Sequence, residues 1–145
     1  MDASDCSIQV HNLQRKISVD VRALRQFANR ALTASIQEPR PSSRGGLPHE
    51  IHVVLISDQR MSSLHRQFLN QSGPTDVITF QHGEIFISVP TARRQAREFG
   101  TSLMRELQLY IVHGLLHLDG FDDRSPAEQR SMRAAEARML RRILV

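Results

Sequence analysis

The chain has 145 residues, the size of one ordinary domain and long enough to bury a real core. Hydrophobic residues make up 40% and charged residues 23%, which excludes a fibrous or broadly disordered chain. The net charge of +4 permits an anionic partner without demanding one, and every basic residue except Lys16 is arginine. Arginine grips phosphate with two parallel hydrogen bonds, although a GC-rich genome gives the same bias with no function attached. Cys6 is the single cysteine, so neither an internal disulfide nor a Cys-x-x-Cys metal clip can form. Apolar runs such as Val53 to Ile56 are far too short to cross a membrane. Asp2 and Asp5 precede any apolar stretch, unlike a signal peptide, so a soluble cytoplasmic protein is expected.

In chain order, Ser7 to Gln14 alternates loosely and predicts a strand. Ser18 is the expected cap of a helix with Asp20 in its first turn and a stripe of Val21, Leu24, Phe27, Ala28, Ala31 and Leu32 for the core. Residues 38–49 carry three prolines and two adjacent glycines, and read as a solvated loop whose arginines, Arg40 and Arg44, could reach a ligand. Ile51 to Ser57 is a β-branched run suited to a buried strand. Asp58 is the expected cap of a helix covered on one side by Met61, Leu64, Phe68 and Leu69. Strands follow at Asp76 to Phe80 and Glu84 to Val89, then helices at Thr91 to Phe99, Ser102 to Leu118 and Ser125 to Leu144. Ser125, Pro126 and Glu128 form a capping signature for the last. The expected fold is α+β (mixed α/β), a small four-stranded mixed sheet flanked by about five helices, in one domain over residues 1–145.

The stretch that carries chemistry is His113-Gly-Leu-Leu-His117-Leu-Asp-Gly120-Phe-Asp122-Asp123. Histidines four apart on a helix lie on one face, so both imidazoles reach one metal ion. Gly120 is suited to the left-handed residue that ends a helix, and the reversal brings Asp123 back as a third ligand, with Asp122 its rival. The spacing H-x-x-x-H-x-x-G-x-x-D parallels that of the metzincin proteases. Three protein ligands leave a fourth position for water, the arrangement of a catalytic zinc. No side chain is assigned to catalysis beyond that metal-bound water. Gly114 stands where a metalloprotease carries its glutamate base, which argues against a metallopeptidase. Glycine inside a helix costs about 1 kcal/mol against alanine, so Gly114 is expected to make room for something close to the backbone. Metal hydrolysis stays open without a dedicated base, since zinc lowers the pKa of its bound water to about 7, and an RNA phosphodiester carries a 2′-hydroxyl nucleophile of its own. His11, His49, His52, His65 and His82 read as surface or structural residues.

His113 to Asp123 resembles the signature of the YbeY family of bacterial rRNA-maturation endoribonucleases, usually His-Gly-x-Leu-His-Leu-x-Gly-Tyr-Asp-His. Pro74 to Phe80 is similar to the family's Pro-Thr-Asp-Val-Leu-Ser-Phe, and Gly83-Glu-Ile to its Gly-Asp-Ile. Met132 and Glu136 fall where the family carries methionine and glutamate in its last helix. The resemblance spans about residues 50–140 and implies a zinc-dependent, single-strand-preferring endoribonuclease of 16S rRNA 3′-end processing and ribosome quality control. It implies one zinc per chain on His113, His117 and Asp123, and RNA and a ribosomal subunit as partners, with no membrane or DNA. Two departures stand out. The family's third histidine is Asp123, and its RNA-contacting arginine six residues before Thr75 is Leu69, a loss that Arg66, one turn earlier, could cover. That second departure supports an alternative: a ribosome-associated RNA-binding protein that keeps its metal for stability.

Overall fold

A computed structural model describes residues 5–39 and 46–144. The chain runs β1 (Ser7–Asn12), α1 (Val21–Gln37), β2 (Glu50–Ile56), α2 (Asp58–Leu69), β3 (Val77–Thr79), β4 (Glu84–Ser88), α3 (Val89–Phe99), α4 (Leu103–Leu118) and α5 (Pro126–Leu144). The α+β class, the four strands and the five helices match the expectation. The strands form one mixed sheet in the order β1-β2-β4-β3, with β1, β2 and β4 parallel and β3 antiparallel at the edge. Register pairs Val10 with Val53 and Val53 with Ile85, so one row of apolar side chains crosses the sheet.

Alternation along β2 explains its unbroken apolar run. Ile51, Val53 and Leu55 point into the main core with α1, α4 and α5, while Val54 and Ile56 point to the opposite face, under Met61 of α2. Helix α4 packs against α1, α3, α5 and the sheet, burying Leu107, Ile111, Val112, Leu115 and Leu116 completely. Gly114 meets the sheet there: a Cβ on it would lie 2.7–2.9 Å from three side-chain atoms of Ile85. The group close to the backbone is therefore a core isoleucine.

Several local expectations are corrected. Asp20, not Ser18, caps α1, because its carboxylate accepts from the Ala23 N–H at 3.0 Å. Ser57 caps α2 in place of Asp58. The Asp58 carboxylate is occupied instead by Ser88 Oγ at 2.6 Å, Thr91 Oγ1 at 2.7 Å and the Arg94 guanidinium at 2.8 Å. The proline-rich loop is not uniformly solvated: Glu38 is buried against Arg138 and Arg142 of α5, and Leu47 is buried too. Arg40 and Arg44 lie outside the described residues. Phe68 and Leu69, expected to pack inward, are 55% and 49% exposed at the end of α2. No helix among the described residues is long and apolar enough to cross a membrane.

Candidate functional site

The helical period of α4 places His113 and His117 one turn apart, with ring centroids 4.6 Å apart. The helix then ends in a left-handed turn. Gly120 has φ 105°, its N–H donates to the His117 carbonyl at 3.1 Å, and the Phe121 N–H donates to the Leu116 carbonyl at 2.9 Å. A side chain at position 120 would strain that turn. Phe121 is thereby buried, and its carbonyl accepts from His117 Nδ1 at 3.1 Å. Two residues on, Asp123 Oδ2 lies 3.5 Å from His117 Nε2 and 3.9 Å from His113 Nε2. Asp122 is engaged elsewhere: its carboxylate accepts from the Asp123 N–H at 2.8 Å and pairs with Arg124 at 3.1 Å.

Protonation decides what this arrangement can do. A carbonyl and a carboxylate only accept hydrogen bonds, so the Nδ1 atoms facing Phe121 O and Glu136 Oε1 (3.1 Å from His113) carry the protons. Both Nε2 atoms then present lone pairs, 3.1 Å apart, with the Asp123 carboxylate beside them. Burial, reinforced by neighbouring His113, pushes His117 below the usual imidazole range despite Asp123, which keeps its ring neutral at pH 7. Three electron-pair donors thus lie within 4.8 Å of one another. That donor set fits a divalent cation.

The cluster lines a groove of about 380 Å³. Residues 75–81 make one wall, and His65 and Leu69 of α2 add to it. A larger hollow of about 510 Å³ lies over Ile56, Leu64 and Phe86, but its lining has no histidine, cysteine or carboxylate to perform chemistry.

The model of the Endoribonuclease YbeY family matches residues 9–144. The chain belongs to the YbeY family. It is 34% identical to the endoribonuclease YbeY of Pelotomaculum thermopropionicum over 94% of this chain and 96% of that one. The Bacteroides thetaiotaomicron YbeY is 38% identical over 63% of this chain and 72% of its own length. The fold matches a solution structure from Thermotoga maritima with a TM-score of 0.67 at 24% identity, covering 94% of this chain and 89% of that one.

Among the sequence-predicted residues, the structure brings together His113, His117 and Asp123. Arg66 is exposed on α2 and is not among the residues lining the groove. Reading of the residues alone missed Glu136, which holds His113 from another helix, and His65, which faces the groove while its Nδ1 lies 3.0 Å from the Gly73 carbonyl oxygen. Only the family resemblance pointed to Glu136. Nothing local marks His65.

Proposed function

We propose that the chain is a zinc-dependent endoribonuclease that cuts single-stranded RNA, acting as one domain in the cytoplasm on the 3′ end of 16S rRNA during ribosome maturation and quality control. The observation that carries this reading is the convergence of His113 Nε2, His117 Nε2 and Asp123 Oδ2 in the lining of a groove, in a chain of the YbeY family. Imidazole and carboxylate donors suit zinc. When bound, the ion supplies Lewis acidity toward a phosphoryl oxygen. The chain's own residues do the rest. Glu136 and the Phe121 carbonyl fix the tautomer and aim of the two imidazoles. Arg66 offers a guanidinium to the RNA backbone beyond the groove. Position 114 cannot supply a base, since it is packed on Ile85, and this disfavours a peptidase.

Leu69 on the groove wall, where the family signature carries arginine, favours a second reading: a ribosome-associated RNA-binding protein whose metal serves stability. Incubating the protein with single-stranded rRNA fragments and with casein, with and without chelator, separates the readings. RNA cleavage abolished by chelator and restored by zinc, with casein intact, is the expected result. RNA bound but left whole would establish the second reading, and cleaved casein would overturn both.

A further inference from the structure

The end of α2 presents apolar surface where a solvated helix end would be polar. Phe68 is 55% exposed and Leu69 49% exposed, on consecutive residues of the last turn. Phe68 meets Phe80 edge to face, with centroids 5.3 Å apart at 74°, and Phe80 meets Phe86 in the same way at 5.7 Å and 83°. The three rings form a chain from the sheet surface out to the rim. This apolar corner is continuous with the candidate active site, since Phe80 and Leu69 both line the groove that holds His113, His117 and Asp123. The backbone around it is fixed: Asn70 takes the left-handed cap at φ 53°, and His65 Nδ1 lies 3.0 Å from the carbonyl oxygen of Gly73.

Size and charge select the occupant. A protein interface needs roughly 20–30 residues a side, and two exposed apolar side chains on one helix turn fall far short of that. They match the footprint of one or two nucleobases. Arg66 is exposed on α2 two residues before Phe68, and the helix's one carboxylate, Asp58, is paired with Arg94, so α2 itself presents a cation to a polyanion while Asp76 and Asp123 lie within the groove. A base reaches a ring only when it is unpaired, since in a duplex its faces are already stacked.

We propose that Phe68 and Leu69 form a base-stacking platform at the mouth of the groove, which seats an unpaired nucleobase of single-stranded RNA beside the His113–His117–Asp123 cluster. The proposal rests on the endoribonuclease reading and names how that site selects its strand. It also gives the Leu69 departure a consequence. Where an arginine would hold a phosphate, this chain holds a base, so this contact contributes no salt dependence.

The test is a binding titration of single-stranded RNAs in which one abasic position is moved along the strand, repeated at several salt concentrations. The unsubstituted protein should lose affinity at one or two abasic positions. Phe68→Ala should bind the intact strand about 5- to 150-fold more weakly, the worth of one stacked base, and should no longer sense the abasic position. Its salt slope should stay unchanged, whereas Leu69→Arg should steepen the slope by about 0.7. Phe68→Tyr should behave as the unsubstituted protein, which guards against a folding artefact, because a tyrosine ring stacks equally well. Affinity that ignores abasic position, or a Phe68→Ala loss that is equal for duplex RNA, would overturn the platform. If such a protein still binds and cuts RNA, the endoribonuclease reading stands alone. If it binds no RNA at all, both fall.

Discussion

Glu136 on α5 holds His113 on α4, with Oε1 3.1 Å from Nδ1 across 23 positions of sequence. The glutamate is largely buried, so the carboxylate has little choice of partner. It fixes which ring nitrogen is free, and anchors the last helix to the candidate site.

Replacing Glu136 with glutamine keeps the shape but weakens the hold on that tautomer. Glu136→Gln and Glu136→Ala should lower divalent-metal affinity by about 10- to 100-fold, the usual effect of losing a group that orients a metal-bound histidine. Calorimetric titration with zinc measures this. Chelation should also lower the melting temperature of the unsubstituted protein, since an ion bound only by the folded state stabilises it. It should lower that of His113→Ala and His117→Ala hardly at all.

Asp123 and Asp122 are adjacent, yet Asp123 brings its carboxylate to 3.5 Å from His117 Nε2, while Asp122 is engaged by the Asp123 N–H and Arg124. Asp123→Ala should therefore lose stoichiometric metal, and Asp122→Ala should keep it. Asp123→His should also keep it, because imidazole and carboxylate bind zinc at similar distances of about 2.0–2.2 Å. Elemental analysis of the three purified variants decides. Metal retained by Asp123→Ala and lost by Asp122→Ala would reverse the assignment.

What was legible in the sequence was what short-range geometry fixes. The i, i+4 histidines, the glycine that reverses the chain and the aspartate three residues beyond it lie within eleven positions, and helix periodicity with one left-handed turn brings them together. The strands were legible because sheet burial imposes alternation or unbroken apolar runs. The cap of α5 was legible, because Ser125 and Glu128 satisfy each other's backbone N–H within three residues, but those of α1 and α2 were not, since neighbours of equal propensity compete and distant partners choose between them. Asp58 is drawn off by Ser88, Thr91 and Arg94, and that leaves Ser57 to cap α2. His65 and the exposed Phe68 and Leu69 owe their roles to where the end of α2 lands on the sheet, which no local pattern encodes.

Gly114 is required by packing. Within a helix, alanine gains about 1 kcal/mol over glycine. Here its methyl would sit 2.7–2.9 Å from Cδ1, Cγ2 and Cγ1 of Ile85, a fully buried β-branched residue of β4 with nowhere to move. Overpacking of that kind costs about 1–3 kcal/mol, so Gly114→Ala should be destabilised by about 1 kcal/mol net. Adding Ile85→Ala removes the clashing atoms, and the double variant should lose less than the sum of the two single losses in denaturant titrations. Strict additivity would show that the two residues do not compete for the same space.

Asp58 gives the fold a measurable acid limit. Burial alone would raise its carboxyl, but hydrogen bonds from Arg94, Ser88 and Thr91, with the Arg94 charge, outweigh it and hold the group below its ordinary value of 3.8. A group whose pKa falls on folding contributes stability that is fully present above its unfolded pKa. That contribution is lost as pH falls through the lower, folded value. Asp58→Asn should cost about 1–2 kcal/mol at neutral pH, toward the low end for bonds to a charged group because the side chain is nearly one-third exposed. The difference between variant and parent should hold constant down to about pH 4 and shrink below it. Unfolding midpoints collected between neutral and acid pH would show this. A gap that stayed constant into strong acid would mean that the ionised carboxylate contributes nothing to joining α2 to α3.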